Sequence, residues 1–455
     1  MPVLDRLAGS GQAVLIPAET YQAWFTAKVP EKQRREVVRR WGEPPGKFLV
    51  WQHEGKSFIV IPRIDLGNVI LLPQPLRGEA QNTALIHDKL TPPPHNYLAT
   101  YFWLQESFRA DALVHFGTHG TEFILPGKAT GLSDIDWPDI VLGTIPNINP
   151  WIIDNLGESS AVRRRAYAVL IDHLVPPAVA AELSDGLLNL HNDLEKWEVL
   201  EDGALKEKFR AAISKQVIEA HLDRDLHLDR AKGRLLSPEE LQRVQTYLDE
   251  VHNETTNVNL HMLGEPPPEK LVIPWLVTCL GAGFLDGLGE VVPVPSAAAR
   301  SPAGRQKYLR QKGEELLQRV LVEGWSAEDS LRAVGGNQSG DLPKRLQDAF
   351  RRARQLQQGF AKTPQEIGNL LAALNGRFIP PGPGNSPDRN PGVVPTGRNM
   401  VVMNPEEVPS RPSWEIGKQL VDQLLAQQRR AKGRYPEKVA FTLNSFATFQ
   451  DYGVM

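Results

Sequence analysis

The spacing of apolar positions changes along the chain, and each change predicts an element. Two stretches, residues 54–64 (EGKSFIVIPRI) and 66–75 (LGNVILLPQP), are rich in β-branched and aliphatic residues and bounded by Gly and Pro, which predicts strands. After them Tyr97, Tyr101, Phe102, Leu104 and Phe108 suit one broad helical face, and Pro92, Pro93 and Pro94 set its start. Residues 110–117 (ADALVHFG) predict a short buried strand. The glycine-bearing stretch 117–128 (GTHGTEFILPGK) predicts a loop beyond its C-terminal end, the edge at which α/β sheets usually bind ligands.

Residues 176–262 and 305–374 read as mainly helical and charged. Ser237-Pro238-Glu239-Glu240 supplies an N-cap hydroxyl, a proline at the first helical position and a glutamate to close a capping box, with Leu236 and Leu241 as its apolar staple. Thr363-Pro364-Gln365-Glu366 repeats the pattern, and Asn375-Gly376 supplies a stop. From Gly376 to Asn399 the density of Pro and Gly excludes a regular element and predicts either a linker or an ordered functional loop. The final run from Tyr435 predicts a strand opening a further α/β unit. The expected fold is therefore α/β in three parts: a mixed strand–helix part over 1–175, a largely helical part over 176–375, and a loop followed by the start of a truncated α/β unit over 376–455.

Composition narrows the function classes. With 41% hydrophobic residues, 23% charged residues and a net charge of −3, the chain lacks the basic excess of a nucleic-acid binder. No run approaches the roughly 20 apolar residues of a membrane span, and the first residues lack a basic start and apolar core, so a cytoplasmic location is expected. The single cysteine, Cys279, excludes an internal disulfide and a cysteine-based zinc cage.

The sharpest constellation is His115, His119 and Glu122 in HFGTHGTE. Imidazole and carboxylate suit borderline divalent metals and accept protons near neutral pH. The alternative is two histidines hydrogen-bonded inside a tight turn, since Gly117 and Gly120 argue against a helix. His87, His95 and His261 each border a turn or helix entry and are either hydrogen-bonding groups there or ligand contacts. Arg163, Arg164 and Arg165 cannot all face one way on a helix, so they form either a solvated face or one or two carboxylate contacts. Nucleotide motifs fail: six residues separate Gly120 from Gly127 where a P-loop has four, Ala129 follows Lys128 where Ser or Thr would hold magnesium, and GAGFLDG misses the dinucleotide spacing.

At HFGTHGTEFILPGK the sequence resembles the large subunits of aerobic cobaltochelatase and magnesium chelatase. The resemblance includes LGNVILLPQPLRG, the His87-Asp88 pair, HNYLATYFWL, WPDIVLGTIPNINPWIIDNLGE, RRRAYAVLIDHLVPP, LHMLGEPP, GRFIPPGPGNSP, PTGRN and RYPEKVAFTL, in order. It covers the middle portion of those longer proteins. It implies a subunit that cradles a tetrapyrrole while separate AAA+ ATPase subunits hydrolyse ATP. Its substrates would be Co²⁺ and hydrogenobyrinic acid a,c-diamide, or alternatively Mg²⁺ and protoporphyrin IX. A non-inserting tetrapyrrole-binding or metal-removing module is the reading in another class. By the same implication His115, His119 and Glu122 relay pyrrole protons, and His115 and His119 offer transient metal ligands. Trp103, Phe116 and Trp137 would wall the ring, while His87, His95, His261, Arg163, Arg164, Arg398 and Asn399 would contact the substrate. One departure stands out: the family loop reads His-Gly-x-Leu-Glu, whereas here Glu122 falls one position early, after Thr121.

Overall fold

The computed structural model describes residues 2–78, 85, 87–177, 185–228, 235–256, 261–296, 302–336, 342–402, 408–441, 448 and 453–454. Its strands are β1 (Ala13–Pro17), β2 (Val50–His53), β3 (Lys56–Pro62), β4 (Ile64–Asp65), β5 (Ile70–Leu71), β6 (Leu113–Val114), β7 (Asn147–Ile152), β8 (Val169–His173), β9 (Pro381–Pro383) and β10 (Asn399–Val401). The fold is α/β, as the sequence predicts. By contacts the chain forms two compact units, one from residues 1–174, 263–266 and 359–455, the other from 175–262 and 267–358.

In the first unit, β3 is the middle of an antiparallel sheet ordered β1-β3-β2, with Ile59, Val60 and Ile61 all buried. Of the second predicted strand only Ile70–Leu71 forms, as β5 in a short hairpin with β4. A five-stranded sheet ordered β6-β7-β8-β10-β9 carries the site. Its β6, β7 and β8 run parallel, while β10 meets β8 antiparallel and β9 in parallel. On one face Ile148 and Ile171 pack with Ile379 against Leu370, Ala372 and Ala373 of the helix Gln365–Leu374. Side chains alternate across a strand, so Asn147, Asn149 and Trp151 project to the opposite face.

The helix predicted after Pro94 spans His95–Trp103 and every residue in it is buried, so it is a core helix rather than an amphipathic one. It ends in a π-turn, Leu104–Phe108. The start of the helix Pro238–Thr256 forms as expected: Ser237 Oγ accepts from Glu240 N at 3.2 Å, and Glu240 Oε2 accepts from Ser237 N at 2.7 Å. Leu236 and Leu241 join the core of the second unit with Leu190, Leu194, Ile213 and Val217. The same pattern at Thr363 does not cap. Thr363 Oγ1 donates to Phe360 O, and Glu366 is drawn into tertiary bonds, accepting from Leu174 N at 3.0 Å, Gly264 N at 2.8 Å and Thr396 Oγ1 at 2.5 Å.

Two further expectations change. Contrary to the sequence reading, the helix Glu269–Val291 is long and apolar enough to cross a membrane by length and composition. However, 56% of its apolar window is buried within the protein, and Gly281 breaks it at φ 65°, ψ −163°. At the C-terminal end a helix, Arg411–Lys432, precedes the predicted strand. Residues 433–441 form no strand, and 442–447 lie outside the described residues.

Candidate functional site

The site grows from the loop that leaves β6. His115 is the first residue beyond that strand, and its backbone N–H still donates to Ile148 O at 3.1 Å, which fixes the ring against β7. Asn147 sets the tautomer. Its Nδ2 donates to Ala166 O at 3.1 Å and Glu122 Oε1 at 3.4 Å, so its Oδ1 is left to accept from His115 Nδ1 at 2.9 Å. His115 Nε2 then faces two groups, Tyr101 Oη at 3.1 Å and Glu122 Oε2 at 3.3 Å. His115 is 7% exposed and Glu122 0%, so this is an interior acid–base pair. Gly120 makes the close packing possible. A Cβ there would collide with Glu122 Oε2 and come within 2.5 Å of His115 Cδ2.

Above the pair lies a hydroxyl network. Tyr97 Oη and Thr121 Oγ1 are 2.9 Å apart, and Gln74 Nε2 reaches Thr121 at 3.0 Å, Tyr101 at 3.3 Å and Tyr97 at 3.4 Å. The two tyrosine rings stack at 5.1 Å. Burial, foremost, pushes both phenols well above their ordinary value, so both remain neutral hydrogen-bonding groups.

His119 does not join Glu122. Its ring stacks on Trp151 at 5.8 Å and meets Phe123 edge-on at 5.2 Å. Its Nδ1 lies 2.7 Å from Gly120 O and its Nε2 3.0 Å from Glu158 Oε2. Both ring nitrogens face acceptors, so only the imidazolium satisfies both. Burial lowers the His119 pKa, but the hydrogen bonds to Glu158 and Gly120 and the Glu158 charge outweigh it, and the net shift is upward. Glu158 is correspondingly held down at about 2, first by the His119 hydrogen bond, against burial, with Asn155 and the charge of His87 assisting. Glu158 sits in the first turn of the helix Leu156–Arg165, where the helix dipole also favours an anion.

Glu158, Asn147 and Tyr101 are the functional candidates that motif reading passes over. A signal was present for Asn147 and for Glu158. NINPWI alternates so that both asparagines and Trp151 share a face. Asn155-x-x-Glu158 has helix-start spacing, and Asn155 Nδ2 does bond Glu158 Oε2 at 2.8 Å.

Several residues expected to contact substrate are structural instead. His95 is 2% exposed and bonded to Tyr21 Oη at 2.7 Å and Gly42 O at 2.9 Å; burial lowers its pKa. Trp137, at the start of the helix Trp137–Leu142, is 2% exposed and belongs to the core, and Trp103 is stacked on Phe108 at 5.5 Å. Arg163 is half-buried and tied to the sheet. It donates to Asn399 Oδ1 at 3.0 Å and Met400 O at 2.6 Å, pinning β10. Asn399 Oδ1 also accepts from Leu170 N at 3.2 Å. The Arg398 side chain donates to Gly392 O at 2.9 Å and Val393 O at 2.6 Å and helps to tie the Pro/Gly-rich segment, which is ordered and, contrary to the sequence expectation, contains a regular element, the edge strand β9. Arg165 braces the functional loop through Leu125 O and Gly127 O, leaving Arg164 exposed. His261 is half-buried within the second unit. Phe116, 73% exposed beside His115, and the exposed His87 stay available.

Among the described residues no group of three or more His, Cys, Asp or Glu side chains is arranged to hold a metal ion. Instead of one His–His–Glu cluster there are two separate His–carboxylate pairs, because the early Glu122 is turned inward to His115.

Fold and site define an α/β protein with a buried and a partly exposed acid–base pair on the loop following a parallel strand. Residues 4–455 match the family described as CobN/Magnesium Chelatase, and the chain belongs to this family. The aerobic cobaltochelatase subunit CobN of Pseudomonas aeruginosa is 33% identical over 96% of this chain and 36% of that protein. The chloroplastic magnesium-chelatase subunit ChlH of Oryza sativa subsp. japonica is 29% identical over 92% of this chain and 33% of that protein. The solved catalytic subunit of cobaltochelatase from Mycobacterium tuberculosis is similar at a TM-score of 0.67 and 31% identity, covering 96% of this chain and 38% of that one. The chain thus spans about a third of the length of these relatives.

Proposed function

We propose that this chain supplies the tetrapyrrole-binding, proton-accepting part of an ATP-dependent metal chelatase, a cytoplasmic multi-subunit enzyme. The metal is Co²⁺ and the macrocycle a corrinoid precursor, hydrogenobyrinic acid a,c-diamide. ATP is hydrolysed by AAA+ partner subunits, in keeping with the missing P-loop. The observation that carries the reading is the His119–Glu158 pair, whose geometry stabilises the imidazolium. Metal insertion releases two pyrrole N–H protons, and a His119 that has first passed its own proton on takes one, with Glu158 stabilising the imidazolium that re-forms. The interior His115–Glu122 pair, with its Nδ1 proton pinned by Asn147, is a second acceptor. Imidazole favours Co²⁺ over Mg²⁺, which prefers oxygen ligands; magnesium and protoporphyrin IX form the second reading, favoured by the similarity to ChlH.

The test is an absorbance and fluorescence titration of the chain with hydrogenobyrinic acid a,c-diamide, protoporphyrin IX and haem, repeated with His119→Ala. Saturable binding of the corrinoid precursor, weakened by the substitution, supports the cobalt reading; preference for protoporphyrin IX supports the magnesium one. Binding of haem alone would point to a module that holds tetrapyrroles without inserting metal. No binding of any of the three would overturn the proposal.

A further inference from the structure

Arg77 closes the stretch that leaves the β4–β5 hairpin, three residues beyond Gln74. It is 4% exposed, a degree of burial that arginine seldom reaches without a carboxylate partner. Its Nη2 donates to Asp88 O at 3.0 Å and Thr91 O at 3.1 Å, which uses both hydrogens of that nitrogen. Nε and Nη1 have no hydrogen-bond partner among the described residues. Three of the five guanidinium N–H donors are therefore buried and free. The Asp88 carboxylate does not take them, because it is turned into its own turn. There its Oδ1 accepts from Leu90 N at 2.7 Å and Thr91 N at 3.2 Å, and its Oδ2 from Thr91 Oγ1.

The surroundings place these donors beside the site. Gln74 ties the same strand of chain to Tyr97, Tyr101 and Thr121, while Asn96 Nδ2 reaches Leu76 O at 3.5 Å. Asn96 Oδ1, on a residue 3% exposed, is likewise unpartnered. Arg77 and Glu122 act on the Tyr97 hydroxyl with opposite sign, so a buried cation and a buried anion flank one phenol. A buried, unpaired guanidinium with free donors is destabilising by itself, and its natural complement is a carboxylate desolvated along with it.

We propose that the free Nε and Nη1 donors of Arg77 receive a peripheral carboxylate of the tetrapyrrole, making Arg77 a specificity-determining residue that distinguishes acid from esterified or amidated side chains. The inference rests on the tetrapyrrole reading above. Its probes are protoporphyrin IX and protoporphyrin IX dimethyl ester, titrated in the same detergent by fluorescence quenching. Wild type is expected to bind the acid roughly tenfold or more tightly than the diester. Arg77→Met, matched in length but neutral, should bring the two together, and Arg77→Lys should keep part of the difference. Loosening of the 88–91 turn, the effect of a merely structural role, lowers thermal stability but leaves the acid-to-ester ratio alone. An unchanged ratio in Arg77→Met, or equal binding of both probes by wild type, overturns the inference while leaving the tetrapyrrole reading intact. Binding of neither probe by wild type overturns the inference, and the corrinoid titration above then decides the tetrapyrrole reading separately. Should Arg77→Met fail to fold, the Arg77 Nε–H resonance of the unaltered chain decides: it should shift with the acid and not with the diester, and a resonance that ignores both rejects the assignment.

Discussion

His119 Nε2 lies 3.0 Å from Glu158 Oε2, and this contact, rather than one with the nearby Glu122, sets the charge of the loop histidine. Glu158→Gln should lower the His119 pKa, because the largest raising contribution, the hydrogen bond, comes from that carboxylate and its charge adds to it. Histidine Cε1–H titration by NMR measures it directly. A His119 titration indifferent to the substitution would mean that the pair does not form in solution. In a reconstituted chelatase, His119→Ala should cut turnover by about 10²–10⁴-fold, the usual range for a general base.

The same pair gives stability a defined pH window. Glu158 is depressed from 4.5 to about 2, so its stabilisation is present above about 4.5 and is lost as pH falls toward about 2. His119 is raised from 6.5, so its contribution is complete below about 6.5 and is lost as pH rises through the folded-state value. The two overlap between about 4.5 and 6.5. Denaturant unfolding across pH should show the wild type exceeding Glu158→Gln most in that window. Glu158 is part-exposed, so solvent screening keeps the difference modest, on the order of 1 kcal/mol or less.

Gly120→Ala should destabilise the loop by about 1–3 kcal/mol, since the added methyl group meets Glu122 Oε2 and His115 Cδ2. Both contacts are side-chain atoms of the interior pair, so tetrapyrrole binding should fall together with stability. Urea unfolding and the binding titration check the two effects. A fully stable Gly120→Ala chain would show that His115 and Glu122 are not packed against that position.

Asp172, 0% exposed on β8, accepts from Arg398 N at 2.6 Å, while its Oδ2 has no hydrogen-bond partner among the described residues. Burial, foremost, pushes it up to about 8, with the charge of Glu366 adding to the rise. The folded state therefore holds a proton that the unfolded chain has lost above about 3.8, and stability falls as pH rises from about 3.8 to 8. Asp172→Asn removes that penalty. It should gain at least about 1 kcal/mol at pH 8 relative to wild type and show a flatter pH profile in thermal melts.

Local patterns were enough for the elements they govern. Strand β3, the helix after Pro94, the Ser237 capping box and the loop beyond β6 each follow from residues within a few positions of one another. The matching signal at Thr363 failed because Glu366 found stronger partners far away in sequence, at Leu174, Gly264 and Thr396. Arg163 and Asn399 were legible as polar residues but not as partners of each other, because nothing local joins positions so far apart in the chain.

The sequence by itself determined the α/β class, the family blocks and the loop that bears His115, His119 and Glu122, since these depend on periodicity, turn chemistry and motif order. Only the tertiary structure decided how that loop is divided: His115 with Glu122 inside, His119 with Glu158 outside, and Arg77 buried with free donors beside them. The physical reason is that pairing depends on which side chains a sheet face and a helix terminus bring within about 3 Å, and on which are shielded from water.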